Sequence, residues 1–484
     1  MLNSSVEELE EFLRKAVKKA AKSSIPHGRH HEETPCLPIT VRKMIEERDL
    51  ISNQAQISEL IKKIQNEVRK FRSERWMQFV EENSRLATGK IWKALGRITG
   101  KRSPQANVAL KFDGKAVTKP QKAANKLNRF LVTSCKHEPS RKTRQLKRKA
   151  SKIVATGEVL VSINEVHDAI KKMSNSRAIG PDGMASGHLK HFGPEALSFL
   201  AFLIQRSFST GRIPSNWKNA KVTPLQKPGK PADSPDSYRP ISILSPVARI
   251  AERVLLPEIQ QATDLPEQQH SFRKGHSTVT AVSTLVEDVI DGFNEKRPPR
   301  RTIAVALDLK KAFDTVNLDQ LIELILESRL TAHTKKWLSN YLRGRKQRTD
   351  LDGVLSKAAV IKTGVPQGSV LSPTLFAWYL QDIPQPKDEQ VKLIIYADDI
   401  TINAQSTDRK DAGARINRYL DELSPYLKKK QLFVSTGKCA SILFSTWSKE
   451  WKEPLGIKLS NADIPTVDSL KLLGVTLDHS LTFN

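Results

Sequence analysis

Residues 392–403 read KLIIYADDITIN, with two apolar, β-prone runs on either side of Ala397, Asp398 and Asp399. Two such runs joined by a short turn predict a β-hairpin, so the two aspartates should stand at its tip. Adjacent carboxylates repel each other unless a cation neutralises them. Asp is also common in ordinary turns, which remain the alternative for a match this short.

A second apolar strand pattern also ends in an acid. Residues 302–308 read TIAVALD, which predicts a buried strand that brings Asp308 to the edge of a sheet. Two carboxylates at a turn and a third from a neighbouring strand make a hard oxygen site suited to Mg²⁺. Two such ions about 3.5–4 Å apart can activate a 3′-hydroxyl and stabilise a leaving pyrophosphate.

The charge of the chain restricts its partners. The 484 residues carry a net charge of +27, and the pI is near 9.9. Such a chain attracts polyanions, because neutralised phosphates release their counterions. Membrane surfaces are anionic too, but no apolar run is long enough to span a bilayer. The N-terminus is acidic and amphipathic and does not resemble a secretory signal, so no membrane partner is expected.

Cysteine and histidine positions do not favour a structural metal. Cys36, Cys135 and Cys439 are far apart, which fits a reducing compartment and not a zinc site. One group of residues could suggest a metal site, namely His27, His30, His31 and Cys36. We favour a solvated loop for this segment because no second cluster of ligands stands nearby.

The first part of the chain is basic and helical in pattern. Residues 1–22 predict a short helix, and residues 23–39, with three prolines, predict a linker. Residues 40–100 predict two helices whose apolar face packs and whose basic face is a candidate for nucleic-acid contact. The apolar positions are Leu60, Ile61, Ile64, Val68, Phe71, Trp76, Phe79, Trp92 and Leu95.

The densest basic run reads RKTRQLKRK, from Arg141 to Lys149. A block of like charge is usually a solvated, flexible segment. We therefore predict a mobile loop here, with a phosphate backbone as its candidate partner. From residue 158 onward, strand-like runs at 303–307, 391–395 and 441–444 alternate with helical stretches, which predicts a unit with a central sheet.

The acids stand within a series of blocks that together resemble the reverse transcriptases of non-LTR (LINE-like) retrotransposons, most of all the jockey type. Six or more such blocks in the same order form a specific signal. The blocks are Ile179–Gly183, Val222–Lys230, Ser237–Ser242, Gln269–Thr278, Asp308–Asp314, Gly364–Pro373, Tyr396–Asp399, Ser435–Lys438 and Leu472–Thr476.

The resemblance implies a role for each matched position. Asp308, Asp398 and Asp399 match the catalytic, metal-binding aspartates of the family. Lys227 and Arg239 match the residues that grip the incoming triphosphate, a task that suits Arg because its planar guanidinium donates bidentately.

Further matches line the expected nucleotide site. Phe313 matches the ring that faces the sugar 2′ position and excludes ribonucleotides, with a core aromatic as the alternative. Gln367 would contact the nucleotide, and Gly368 would let the backbone approach template and nucleotide closely. Asp314 is expected to cap or hydrogen-bond locally and not to bind metal.

Other matches concern the primer and the template. Arg273 falls in a block assigned to their support, and Tyr396 would pack beneath the primer end. Leu473 and Gly474 belong to the hairpin that supports the primer strand, for which a plain hairpin is the alternative. Lys438 matches the palm lysine that assists the leaving pyrophosphate as a general acid.

One block departs from the family pattern. Ser271 stands where the family usually has Gly. If that position requires a positive φ or a close approach of the template, serine costs stability or activity.

The fold that the resemblance implies is α+β, a right-hand polymerase with fingers and palm. The chain is expected to lack an endonuclease domain and to end about where a helical thumb would begin, so that the thumb is absent or truncated. The expected regions are a helical basic N-terminal extension (1–110), a basic linker (111–157), a segment before the fingers (158–204) and the reverse transcriptase domain (205–484).

The implied reaction is RNA-directed DNA synthesis from a DNA or nicked-target primer. Its expected cofactor is two Mg²⁺ ions, with Mn²⁺ as a substitute. The expected partners are an RNA template, a DNA primer or target DNA and deoxynucleoside triphosphates. The expected location is the nucleus, with a cytoplasmic ribonucleoprotein stage.

Three alternatives stay open. The chain could be a truncated fragment that only binds nucleic acid, which would show as binding without primer extension. It could be an intron-encoded or telomerase-like polymerase, which would require residues 1–150 to fold as the matching accessory domain. It could be a membrane-surface protein, which would show as vesicle binding that survives competition by RNA.

Overall fold

The computed structural model describes residues 4–24, 38–51, 54–84, 110–133, 141–174, 178–295 and 298–482. The chain forms two compact units, one of residues 1–19 with 109–484 and one of residues 20–108. The histidine and cysteine group at 27–36, Trp92, Leu95 and Cys135 lie outside the described residues.

Helices and strands alternate along most of the described chain, and α2 and α3 below belong to the second unit. The helices are, in chain order, Val6–Ser24 (α1), Ile39–Leu50 (α2), Gln54–Ser84 (α3), Pro120–Thr133 (α4), Arg141–Ser151 (α5), Ile163–Lys171 (α6), Ser186–Lys190 (α7), Pro194–Thr210 (α8), Pro246–Ala262 (α9), Thr278–Asn294 (α10), Ala312–Thr315 (α11), Leu318–Glu327 (α12), Ala332–Tyr341 (α13), Ser372–Tyr379 (α14) and Arg409–Lys429 (α15). The strands are Leu110–Phe112 (β1), Lys115–Val117 (β2), Asn219–Gln226 (β3), Tyr238–Ile243 (β4), Arg301–Asp308 (β5), Lys346–Leu351 (β6), Val354–Leu355 (β7), Ala359–Val360 (β8), Val391–Tyr396 (β9), Asp399–Ser406 (β10), Ala440–Phe444 (β11), Lys458–Leu459 (β12), Ala462–Asp463 (β13), Ser469–Leu472 (β14) and Val475–Asp478 (β15).

A four-stranded antiparallel sheet lies at the centre of the first unit, in the order β11-β5-β10-β9. Its two faces follow the period of two that strands impose. Ile303 and Val305 join the main core on the face covered by α15, whereas Ala304, Ile394 and Ile442 join a second cluster with α10. The three strands predicted at 303–307, 391–395 and 441–444 are confirmed.

A second sheet has the order β4-β3-β6-β7, with β8 also paired to β6. Strands β3 and β4 are antiparallel, whereas β3 and β6 are parallel. Helix α4 packs along β6, where the buried Asn128 exchanges hydrogen bonds with Gln347 and Thr349. This sheet holds the two strands predicted as fingers.

The prediction of a mobile loop at the basic run is wrong, because Arg141–Ser151 is helix α5. Leu146 and Ala150, four residues apart, are buried, and the helix packs on α12 and α13. Lys142 also pairs with Glu323 at 2.6 Å. Hairpin β1–β2, α4 and α5 therefore belong to the same compact unit as the sheets, which corrects the linker prediction for 111–157.

The predicted N-terminal helices are present in the described residues. In α1, Val6, Leu9, Leu13 and Val17 recur at helical spacing and are buried in the main core. In the second unit, α2 and α3 contact each other. The boundary of the N-terminal extension and its nucleic-acid contact stay predictions. None of the helices described is long and apolar enough to cross a membrane.

Candidate active site

The structure brings the three predicted aspartates together. Strands β9 and β10 form the expected hairpin, and Ala397 turns it with a φ of 55°. In the register between β10 and β5, Asp399 lies directly opposite Asp308. Asp398 and Asp399 at the hairpin tip thus meet an acid at the end of the neighbouring strand.

Burial and neighbouring carboxylates raise the pKa values of Asp398 and Asp399 and so disfavour their charged forms. Burial, then Asp398 and Asp308, raise the pKa of Asp399 to about 6. Burial and Asp308 also raise the pKa of Asp398, while hydrogen bonding to its own backbone and the positive charge of Arg239 act against this rise. A site of repelling oxygen donors at an open cleft fits a divalent cation.

Lys438 already neutralises one of these acids. Its Nζ lies 3.3 Å from Oδ1 of Asp308, and both side chains are partly exposed. Among the described residues, no three acidic, histidine or cysteine side chains converge as a ready metal cage. Within the described part of the chain, the three aspartates are therefore not a preformed metal site, and their oxygen donors would suit a divalent cation once Asp308 exchanges its contact with Lys438 for one with the ion.

Several cations line a cleft of about 1540 Å³ that also holds Asp308 and Asp398. Lys227 donates from Nζ to the carbonyl of Asp236 at 2.7 Å. Burial lowers the pKa of Lys227, and the nearby Lys438, Lys311 and Arg239 lower it further. The two residues matched to triphosphate binding, Lys227 and Arg239, thus lie in the same cleft as Asp308 and Asp398.

Two residues of this cleft were missed from the sequence. Lys311, with a φ of 49°, pairs with Asp236 at 3.4 Å and lies 4.9 Å from the ring centre of Phe130. Phe130 belongs to α4, which lines the cleft although it is distant in sequence. For Lys311 the available sequence signal was its position just after strand β5. The sequence offered no signal for Phe130.

The loop at 364–373 is held on both sides. Gln367 donates from Nε2 to Oδ1 of Asp314 at 3.1 Å, and its carbonyl accepts from Ser242 N–H at 2.9 Å. At Gly368, with a φ of 119°, a Cβ would lie 2.4 Å from the Ser242 carbonyl oxygen. Glycine is therefore required here for the close approach to β4, a reason that the sequence did not reveal. The hydrogen bond from Gln367 joins Asp314 to a residue 53 positions away, so it is not the local contact expected for Asp314.

A buried glutamate supports the same loop and was also missed. Glu252 in α9 accepts hydrogen bonds from Ser369 Oγ at 2.8 Å, Val370 N–H at 2.6 Å and Tyr341 Oη at 2.7 Å. The sequence signal for this role was an acid, Glu252, among apolar residues at helical spacing. A buried acid needs hydrogen-bond donors as partners.

Phe313 packs on a core aromatic and also lines the cleft, and its contact with a nucleotide sugar stays a prediction. Its ring stacks on Phe376, with centres 4.6 Å apart and planes at 20°. It also lines the cleft beside Asp308. Packing against the buried Phe376 holds the ring in the lining of the cleft.

Three residues assigned to primer support lie in two hairpins: Tyr396 in β9–β10, and Leu473 and Gly474 in β14–β15. Tyr396 and Leu473 pack on the same apolar cluster next to α10. Leu473 and Gly474, with φ of 48° and 96°, turn β14 into β15. Arg273 donates to the Pro266 carbonyl at 3.1 Å and so stays within its own segment.

Ser271 does not have the positive φ that its place in the family pattern could have required. The positive φ of this segment falls on Phe272, at 55°, and not on Ser271. The hydroxyl of Ser271 instead accepts the N–H of Ala397, at the tip of the β9–β10 hairpin.

Comparison with known proteins agrees with the site. The family model described as "Reverse transcriptase (RNA-dependent DNA polymerase)" matches residues 225–477, just over half of the chain. The chain is 29% identical over 409 residues to "Probable RNA-directed DNA polymerase from transposon BS" of Drosophila melanogaster, covering 81% of this chain and 44% of the relative. It is 28% identical to "RNA-directed DNA polymerase from mobile element jockey" of Drosophila funebris, covering 67% and 36%.

A solved structure of apo telomerase from Candida tropicalis is also similar, with 14% identity, a TM-score of 0.36 and coverage of 55% of this chain and 54% of that one. The chain spans less than half the length of the two curated relatives named above. Because the family model covers more than half of the sequence, the chain belongs to the reverse transcriptases, with the mixed α/β right-hand polymerase fold and with jockey-type non-LTR retrotransposon polymerases among its relatives.

Proposed function

We propose that the chain is the RNA-directed DNA polymerase of a non-LTR retrotransposon and extends a DNA or nicked-target primer on an RNA template. The observation that carries this proposal is that Asp308 and Asp398 line one cleft together with Lys227 and Arg239, while Asp399 lies opposite Asp308 in the strand register. Primer extension on an RNA template tests it, and loss of extension on substitution of Asp398 locates the chemistry.

The three aspartates would hold two divalent ions, Mg²⁺ or Mn²⁺, which would activate the 3′-hydroxyl and neutralise charge on the leaving pyrophosphate. Lys227 and Arg239 would bind the triphosphate in the same cleft. Lys438, released from Asp308, would be free to donate a proton to the pyrophosphate. Positioning and charge neutralisation supply most of the catalysis in such a reaction.

Phe313 would select the sugar. We expect Phe313→Ala to reduce the preference for a deoxynucleotide over a ribonucleotide by at least about tenfold, because a bulky ring no longer fills the space of the 2′-hydroxyl. Single-nucleotide incorporation with each triphosphate measures this preference. The control is Phe433→Ala, which removes an exposed ring from the same cleft. An equal loss of preference in both variants would contradict the assignment of Phe313.

The polybasic helix α5 would hold the template outside the cleft. Its buried Leu146 and Ala150 turn the opposite face to solvent. That face carries three exposed arginines at helical spacing, Arg141, Arg144 and Arg148. Fixed cations at this spacing would neutralise phosphates of an RNA backbone.

Replacement of these three arginines by Gln is expected to weaken RNA binding. The slope of log K against log salt should become shallower by about 2, because each phosphate contact to a single strand contributes about 0.7. Binding titrations at several salt concentrations measure the slope. The control removes the same charge from exposed lysines elsewhere, Lys410, Lys449 and Lys452. If both triple variants change the slope equally, α5 has no specific role.

A second candidate function is nucleic-acid binding without synthesis. The pairing of Lys438 with Asp308 favours it, because a protein cation already occupies the place of a metal ion at that acid. Binding of RNA without extension would support this candidate. For location, we propose the nucleus with a cytoplasmic ribonucleoprotein stage, on the family resemblance alone.

A further inference from the structure

A short segment runs along the free edge of the catalytic hairpin. Strand β9 is an edge strand of the central sheet. Outside it, His270 N–H donates to the Ile395 carbonyl and Ile395 N–H donates to the Gln268 carbonyl, both at 2.8 Å. These two hydrogen bonds attach the segment to β9 just before the tip that carries Asp398.

Ser271, the next residue of this segment, reaches the tip itself. Its hydroxyl donates to Gln269 Oε1 at 2.8 Å and accepts from Ala397 N–H at 2.9 Å. Gln269 Oε1 also accepts the Ser271 N–H at 3.1 Å. Because the single hydroxyl hydrogen is directed to Gln269, the oxygen lone pair is directed to Ala397.

The contact is shielded from water. Ser271 and Gln269 are fully buried and Ala397 is 7% exposed. A buried N–H that loses its acceptor cannot turn to solvent instead. Ala397 also has a φ of 55°, in which an L-residue with a side chain is strained, so its backbone needs to be held.

We propose that Ser271 is a positioning residue that fixes the Ala397 turn and so aims the carboxylates of Asp398 and Asp399 at the metal ions. This inference rests on the proposed function. It predicts that the hydroxyl of Ser271 affects metal binding and catalytic rate more than it affects folding.

The test compares two serines with the same hydrogen-bond pattern. Ser356 is also buried, and its hydroxyl accepts Thr349 N–H at 2.9 Å and donates to the Lys357 carbonyl at 2.9 Å, in the other sheet. Ser271→Ala and Ser356→Ala each remove one such hydroxyl. They should therefore cost similar stability, and the Tm of each variant checks this match.

Two readouts separate positioning from stability. For Ser271→Ala we expect kcat for single-nucleotide addition to fall by about tenfold, with KM for the nucleotide within about twofold, because the bound nucleotide contacts other residues. Binding of Mn²⁺ alone, followed by electron paramagnetic resonance in the absence of nucleotide, should weaken about threefold or more in Ser271→Ala. Ser356→Ala should bind Mn²⁺ and react as the unchanged chain does.

The inference is overturned if Ser271→Ala matches Ser356→Ala in both kcat and Mn²⁺ affinity. It then fails alone, because the unchanged chain still extends primers. If the unchanged chain itself adds no nucleotide, the proposed function fails, and the Mn²⁺ titration still reports whether Ser271 organises the three acids.

Discussion

Asp398→Asn is expected to abolish primer extension on an RNA template, with a fall in rate of at least about 10³-fold. The physical reason is that an amide removes both a negative charge and a proposed metal ligand from a cleft in which Asp308 and Asp398 lie among several cations. Steady-state extension measures the fall. Asp421→Asn, at an exposed position of α15, is the control and should be as active as the unchanged chain.

Replacement of an aspartate of this site by asparagine should not destabilise the fold. Burial and the neighbouring acids raise the pKa of Asp399 to about 6. A raised carboxyl pKa stabilises the fold below the unfolded value of about 4, and this contribution is lost as the pH rises to about 6. At about pH 8 in metal-free buffer, Asp399→Asn should therefore raise Tm by about 1–3 °C, since solvent screening limits the gain to about 1 kcal/mol or less.

The gain in Tm should disappear below about pH 4, where the aspartate is protonated in both states. A Tm that falls at about pH 8, or a rise that persists in acid, would contradict the picture of mutually repelling carboxylates. Substitutions that lower activity but raise stability are expected at a functional site in which like charges repel one another.

Gly364→Ala is expected to be the most destabilising single substitution that we propose. Gly364 has a φ of 80°, and a Cβ there would lie 2.6 Å from the Asp314 carbonyl oxygen. The loop has little freedom to retreat, because Gly364 N–H donates to Val316 and Val365 N–H donates to Phe313, both at 2.9 Å. Left-handed strain of about 1–2 kcal/mol and overpacking of about 1–3 kcal/mol should add to roughly 3–4 kcal/mol.

Gly353→Ala isolates the clash from the backbone strain. Gly353 has a nearly equal φ of 84°, but a Cβ there would meet no atom within 4 Å. Its substitution should cost only the left-handed strain, about 1–2 kcal/mol. Urea unfolding of both variants gives the difference. Equal costs would show that the loop bearing Gln367 does not approach α11 as closely as described.

The local part of the site was predictable from the sequence. The period of two in residues 302–308 and 392–403 is strong, and it places Asp308 beside the hairpin tip once the two strands are paired. The turn at Ala397 belongs to the same short-range hairpin pattern. The close approach of Gly368 to Ser242 in β4 joins distant parts of the chain and was not predicted.

The supporting contacts were not predictable, because they join residues far apart in the chain. Glu252 reaches Val370 across 118 positions, and Ser271 reaches Ala397 across 126. Phe130 enters the cleft only because α4 packs on β6. In α5 the count of charges hid two apolar residues at helical spacing, Leu146 and Ala150, which suffice to dock the helix.

The central claim is that three aspartates of this chain form the catalytic centre of a reverse transcriptase. Its most direct test is the addition of a single deoxynucleotide to a DNA primer annealed to RNA, with the unchanged chain and Asp308→Asn assayed side by side in Mg²⁺ and in Mn²⁺. We predict a product one nucleotide longer, complementary to the template and dependent on the metal, with the unchanged chain only. Tight binding of the primer and template without any extension by the unchanged chain, in either metal, would contradict the claim.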